Sequence, residues 1–123
     1  MKSMLSTAIK IAVNAHDGQF DKGGNAYILH PLKVMHYLNS DDEELQAIAV
    51  LHDVIEDSDV TLVELFVQGM SVRVIHALRA LTKQRGQTQE EYLNGIMASE
   101  DAMKVKLADL RHNTDICRLN GLS

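Results

Sequence analysis

The sequence predicts an all-α protein, an orthogonal bundle of about seven short helices. Three observations carry that prediction. Apolar residues recur at helical spacing, while no stretch sustains the period-two alternation of a strand bounded by turn residues. Proline occurs once, at Pro31, where it suits the first turn of a helix. The segments between turn signals are short and unequal, which excludes a parallel coiled coil.

Helix one spans residues 3–15, with Leu5, Ala8, Ile9, Ala12 and Val13 on one face. Residues 17–25 are turn-rich, and Gly18, Gly23 and Gly24 break the helix there. Helix two covers residues 31–38, with His30 at or near its N-cap and Leu32, Met35 and Val34 inward. Asn39-Ser40-Asp41 ends it and supplies a cap for a central helix over residues 42–57. The acidic run Asp41-Asp42-Glu43-Glu44 suits that helix's dipole and is not a metal site. Thr61 and Glu64 form a capping box for a helix that buries Leu62, Leu65 and Phe66, and Gly69 ends it. Ser71 caps the next, with Val72, Ile75, Leu78 and Ala80 or Leu81 inward. Residues 83–87 form an exposed loop before a helix over 88–99 and a last helix from Glu100 or Asp101 to about Leu119, with Asn120-Gly121 as its C-cap.

Composition narrows the function. A chain of 123 residues is expected to form one domain over residues 1–123. The net charge of −5 argues against a general nucleic-acid binder, which needs a basic footprint. A small anionic ligand stays compatible, because a bound divalent cation reverses the local field. The single cysteine, Cys117, excludes an internal disulfide and reads as a small buried hydrophobe. No apolar run approaches the roughly 20 residues needed to span a bilayer, and the N-terminus lacks the apolar core of a signal peptide. A cytoplasmic protein with no membrane or nucleic-acid partner is expected, and a homodimer is left open.

The chemistry concentrates in the central helix. Leu45, Ile48, Ala49, Val50, Leu51, Val54 and Ile55 surround most of its circumference, the pattern of a buried helix. Its C-terminal half nevertheless carries His52, Asp53, Glu56 and Asp57. Burial of such groups is costly unless they are paired or bound to metal. His52 and Glu56 are one turn apart, as are Asp53 and Asp57, so two adjacent polar rows line one edge. His30 and Asp109, the latter after the apolar Val105 and Leu107-Ala108, are further candidate ligands from other helices. Two imidazoles and two carboxylates suit a borderline-hard divalent cation such as Mn²⁺ and leave positions for water and substrate. Glu56 and Asp57 are placed to orient or deprotonate that water.

Ordered blocks then point to a family. Ala15-His16-Asp17-Gly18-Gln19, Tyr27-Ile28-Leu29-His30-Pro31-Leu32, Leu51-His52-Asp53-Val54-Ile55-Glu56-Asp57 and Leu107-Ala108-Asp109-Leu110-Arg111-His112-Asn113 together resemble the HD-type hydrolase domain of the RelA/SpoT family, in particular its small single-domain SpoT-like members. The resemblance covers residues 12–119. It implies a helical HD fold and Mn²⁺-dependent removal of pyrophosphate from the ribose 3′ position of guanosine tetra- or pentaphosphate. It also implies that His30, His52, Asp53 and Asp109 bind the metal, and that Glu56 and Asp57 activate and position the attacking water. Asn113 would contact the nucleotide, and Lys22 with Tyr27 would belong to its binding loop. Nothing in the chain matches the family's synthetase domain, so the expectation is degradation alone. Relatives usually continue into a further helix after the last one here.

The chain departs from the family pattern at three places. Asp21-Lys22 stands where a basic pair is common, Ala26 replaces a usual proline, and Leu110-Arg111 inverts the usual Arg-Leu order. All three lie in the nucleotide-recognition shell. They motivate a second substrate class, another nucleotide such as NADPH or a deoxynucleotide, and a nucleotide-sensing module without turnover is the non-enzymatic alternative. His16 is either support for the metal site or a packed histidine closing helix one. His36, His76 and His112 read as packed or partly exposed residues without a ligand role, and the six methionines as core filling.

Overall fold

Ser3 opens the first helix in the way its residue type favours: its hydroxyl accepts the N–H of Ser6, and α1 runs Met4–Ala15. The computed structural model describes residues 3–119, with side chains as far as Asp115. Seven further segments follow: α2 (Leu29–Leu38), α3 (Glu43–Leu51), α4 (Val54–Asp57), α5 (Leu62–Val67), α6 (Val72–Leu81), α7 (Gln89–Met97) and α8 (Glu100–Leu119). No strand occurs among the described residues, only an isolated bridge between Phe20 and Ala26. The protein is all-α, as its periodicity predicts. The C-cap expected at Asn120-Gly121 and the side chain of Cys117 lie outside what is described.

Side-chain caps set most boundaries. Asp42 accepts from Glu44 and Leu45 at the start of α3, Thr61 from Glu64 at α5, and Ser71 from Val74 at α6. At α7 the capping box is complete, with Thr88 and Glu91 each accepting the other's N–H. Helix α2 begins two residues before Pro31, so His30 lies inside its first turn and not at its cap. Asn39 closes that helix in the left-handed region at φ 49°.

The central helix is where expectation and structure differ most. It does not run unbroken over residues 42–57. It stops after Leu51, turns through His52 and Asp53, and resumes as the single turn α4. At the break the His52 N–H reaches Ala49 O, three residues back, while Asp57 N–H still bonds Asp53 O. Counted as one broken helix, α3 and α4 bring the total to the seven expected.

Helix α3 is the axis of the bundle. Residues 47–51 are fully buried, and the helix packs against α1, α2, α6 and α8. Around it gather Ala8 and Ala12 of α1, Val34 of α2, Leu78 of α6 and Val105 of α8. Some facing predictions were out of phase: Val13, Phe66 and Val72 are exposed, whereas Ile11 and Val74 are buried. Helix α2 also packs along α8. The start of α2, the end of α3 and the middle of α8 therefore meet at one place.

Candidate metal centre

Each element delivers one part. The first turn of α2 presents His30, the α3–α4 break presents His52 and Asp53, and α8 presents Asp109 from a stripe that includes the buried Ala102, Val105 and Ala108. Residues 52 and 53 are adjacent, and a continuous helix would spread them by about 100°. Instead both reach the same point: His52 Nε2 and Asp53 Oδ2 are 3.0 Å apart. Asp53 Oδ2 is also 3.7 Å from His30 Nε2. Asp109 Oδ1 lies 2.8 Å from His30 Nε2 and 3.4 Å from His52 Nε2. One ligand atom each from His30, His52 and Asp109 falls within 4.8 Å of the others, and all three residues are buried.

The donor set fits a cation, and His52 shows why. Its Nδ1 is 2.7 Å from the carbonyl oxygen of Ala49, which can only accept, so Nδ1 carries the proton. Nε2 is buried, faces two carboxylates and has no aligned hydrogen-bond partner. A bare imidazole lone pair against two anions is unfavourable unless a proton or a metal ion lies between them. Two imidazoles and two carboxylates are a ligand set for a divalent ion. This His/His/Asp group, with Asp53 beside it, could hold a divalent metal.

Without the ion, protons settle in that field. Burial alone would push the His52 imidazole down, but Asp109 and Asp53 outweigh it and raise its pKa to about 10. Burial would raise Asp109, yet the hydrogen bond from His30 and the nearby His52 imidazolium hold it far below the usual carboxylate range. Asp53 behaves alike: burial opposes ionisation and the His52 imidazole overcomes it. Tyr27 donates its hydroxyl to Asp53 Oδ2 at 2.7 Å, and burial together with Asp53 drives the phenol well above its ordinary pKa.

A buried polar group flanks the metal ligands. His16 is 2% exposed, packs its ring 4.9 Å from that of Tyr27, and bonds Gln19 Oε1 through Nδ1 at 2.8 Å. Gln19 in turn donates to the carbonyl oxygens of Asp57, at 2.7 Å, and Ala15, at 3.2 Å. His16 is the C-cap of α1, and through Gln19 it also fastens α4 to the end of that helix, so both roles open to it in the sequence stay open. The Asp57 carboxyl is raised above its ordinary range by burial and then by Asp53. Glu56 instead points toward the loop after α6, where its Oε1 accepts the Lys83 N–H at 2.9 Å.

The remaining candidates divide. Asn113 lies one turn beyond Asp109 on α8, is exposed, and makes a long 3.4 Å contact to Asp109 Oδ1. Lys22 is exposed on the loop before Tyr27. Two residues were missed. Lys106 donates to Asp109 Oδ2 at 3.3 Å. His112 is 8% exposed and meets His30 with Nδ1 atoms 2.7 Å apart, so it is no isolated packed histidine. The spacing of His112, three residues after Asp109 on one helix face, was the available signal. Beside His30 and His112 opens a cavity of about 430 Å³, lined also by Leu29, Leu32, Lys33 and Asn25.

No family model matches the chain. Individual proteins do. It is 37% identical over 116 residues to the guanosine-3′,5′-bis(diphosphate) 3′-pyrophosphohydrolase of Haemophilus influenzae, covering 84% of this chain and 17% of that protein. It is 35% identical over 123 residues to the bifunctional (p)ppGpp synthase/hydrolase SpoT of Escherichia coli K12, covering 89% and 17%. The chain is a RelA/SpoT homologue. A third relative, 34% identical over 124 residues, is named GTP pyrophosphokinase rsh in Brucella ovis, covering 91% of this chain and 16% of that protein. The chain thus spans about a sixth of the length of these curated relatives, whose names include both directions of (p)ppGpp chemistry.

In this RelA/SpoT homologue the departures from the family pattern have local structural work. Asp21 Oδ1 accepts the N–H groups of Gly23 and Asn25, each at 2.9 Å, and so closes the loop on itself. Arg111 places its guanidinium 4.7 Å from the centre of the Tyr37 ring, a cation–π contact joining α8 to α2. No described helix is long and apolar enough to cross a membrane.

Proposed function

We propose that this RelA/SpoT homologue hydrolyses the 3′-pyrophosphate of guanosine tetra- or pentaphosphate, releasing GDP or GTP and pyrophosphate, with Mn²⁺ as the preferred ion. The carrying observation is the buried Nε2 of His52, without an aligned hydrogen-bond partner and facing Asp53 and Asp109, with His30 beside them. That constellation lies within the segment matched to proteins named for this hydrolysis. The proposal concerns hydrolysis alone. A cytoplasmic location and a small nucleotide as substrate go with it, with a homodimer left open.

When bound, the cation supplies Lewis acidity toward water and phosphate oxygen. His30, His52, Asp53 and Asp109 would hold it, and Tyr27 keeps Asp53 in place through its hydroxyl. Asp57 is the residue suited to take a proton from water, because burial and Asp53 raise its basicity. Gln19 fixes the backbone from which Asp57 projects. Glu56, tied to the Lys83 N–H through one oxygen, keeps the other to orient the same water. The water oxygen bonds to the phosphorus nearest the ribose, the bond from that phosphorus to the 3′ oxygen breaks, and a proton completes the 3′ hydroxyl. Lys22 and Asn113, both exposed, would make phosphate and nucleoside contacts.

One observation favours a second substrate. Asp21 uses its carboxylate to close the loop where relatives commonly carry a base, so that position offers no cation to stack on guanine. NADPH or a deoxynucleotide is therefore the competing class. Parallel assays of ppGpp, NADPH and dGTP with Mn²⁺ decide between them. The proposal expects ppGpp to be turned over fastest, and preferred turnover of either other nucleotide would replace it. Asp53→Ala should lose metal and activity together, whereas Asp57→Ala should keep metal and lose turnover.

A further inference from the structure

The geometry assigns His112 as a positioning residue: it accepts a hydrogen bond from Nδ1–H of His30, fixing that ring with its Nε2 lone pair turned toward the ion. This rests on the metal reading above and concerns a residue outside the four ligands.

Two imidazole nitrogens at 2.7 Å are too close for contact without a shared proton. Two bare lone pairs would repel, and so would two N–H groups. The ring planes differ by only 20°, with centroids 4.9 Å apart. With the nitrogens at 2.7 Å, that separation leaves room only for the two ring radii. The rings therefore meet edge to edge in nearly one plane, the alignment a hydrogen bond between in-plane lone pair and N–H requires. They are not stacked face to face.

The direction of the bond follows from the other end of His30. Its Nε2 faces Asp109 Oδ1 at 2.8 Å and Asp53 Oδ2 at 3.7 Å. For Nε2 to bind a cation it must be bare, so the ring's proton sits on Nδ1 and His112 Nδ1 accepts it. His52 is organised the same way, with its Nδ1–H committed to Ala49 O and its Nε2 turned inward. One metal histidine is thus oriented by a backbone carbonyl and the other by a second imidazole.

His112 is itself held. Its ring stands edge-on to Tyr37, at 5.7 Å and 64°, and the Tyr37 hydroxyl donates to Asp115 Oδ2 at 2.7 Å. Asp109, His112 and Asp115 lie at successive three-residue steps on α8. One helix face therefore supplies a ligand, the support of another ligand, and the anchor of that support.

Packing alone would need only the volume of a ring, whereas positioning needs an acceptor where Nδ1 stands. The variants His112→Phe and His112→Asn separate the two, since the Asn carbonyl oxygen can occupy the place of Nδ1. Mn²⁺ titrated calorimetrically, without nucleotide, should bind His112→Phe about 10–100-fold more weakly than wild type and His112→Asn within a few-fold of it. Long-range ¹H–¹⁵N NMR of the wild-type protein loaded with Zn²⁺, a diamagnetic stand-in for Mn²⁺, should show His30 protonated at Nδ1 and His112 at Nε2 but not Nδ1. Equal Mn²⁺ affinity for all three proteins, or equal weakening of both variants, would overturn the assignment. So would a His30 Nδ1 without a proton in that loaded protein, an observation that needs no variant. Wild-type protein that binds neither ion would instead sink the metal reading on which this assignment rests.

Discussion

The Nδ1–H of His52 donates to the carbonyl oxygen of Ala49 at 2.7 Å, and that one bond turns Nε2 toward Asp53 and Asp109. The bond exists because α3 stops one residue earlier, where the backbone tightens and His52 N–H also reaches Ala49 O. A helix end and a ligand orientation are the same event.

Metal binding should compete with a proton at that nitrogen. The two carboxylates hold the His52 imidazolium up to a pKa of about 10, so near neutral pH an incoming ion must displace its proton. Apparent affinity should therefore rise with pH until the imidazole is neutral. Calorimetry of Mn²⁺ binding in buffers of different ionisation enthalpy measures the proton count directly. About one proton released per ion near pH 7 is expected, and none released would mean that His52 is not a ligand.

Tyr27→Phe removes the hydroxyl that bonds Asp53 Oδ2 and little else. Loss of a partner to a metal-binding carboxylate typically weakens metal affinity or activity by about 10–100-fold. The protein should remain folded by circular dichroism, with both metal affinity and turnover reduced. Unchanged affinity and rate would show that Asp53 needs no such support.

Gln19→Ala should act differently. Gln19 joins His16 to the backbone of Asp57 and touches no ligand atom. Its loss should lower kcat by roughly tenfold through misplacement of Asp57, while metal affinity stays within about twofold of wild type. Steady-state kinetics beside a metal titration separates the two quantities. A parallel loss of metal would place Gln19 in the metal site itself.

Away from the site, Arg73 clamps α6 to the start of α3 and to α8. Its guanidinium bonds both oxygens of Asp101, at 2.8 and 2.9 Å, and both of Asp42, at 2.9 and 3.2 Å. Arg73→Leu should lower Tm by on the order of 3–6 °C at pH 7, a modest effect because the pairs are partly solvated. The bonds from Arg73 depress the Asp101 and Asp42 pKa values in the folded state. Their contribution is thus complete above the ordinary aspartate range and is lost as pH falls through the depressed values. Thermal melts at pH 7 and pH 3 should show the gap between variant and wild type shrinking in acid. A constant gap would mean that Arg73 acts through packing.

The fold was legible because its signals are local. Thr61 and Ser71 cap the helices they were expected to introduce, whereas α3 is capped by Asp42, one residue beyond the expected Asn39-Ser40-Asp41, and a cap needs no knowledge of the tertiary structure. The break at His52-Asp53 was not legible, because the i, i+4 pairing of acidic and imidazole groups continues across it and no glycine or proline marks it. Phe66 and Val72 are exposed although apolar, a matter of which helix face meets a neighbour, and periodicity gives the face but not the neighbour.

Of the candidate site, His30, His52, Asp53, Tyr27 and Asp109 stand together, where residue type and ordered blocks pointed. Glu56 is the instructive case: one turn after His52 in sequence, it gives one of its two oxygens to the Lys83 N–H, a partner 27 residues distant. The same holds for Gln19 with Asp57 and for His112 with His30, contacts that span 38 and 82 residues. Such pairings arise only when helices dock.

The central claim is most directly tested by the products of ppGpp incubated with the metal-loaded protein, resolved by anion-exchange chromatography with and without EDTA. Equal amounts of GDP and pyrophosphate, both abolished by EDTA and by Asp109→Ala, are the expected result. Intact ppGpp from protein shown to hold Mn²⁺, or products formed equally well in EDTA, would contradict it.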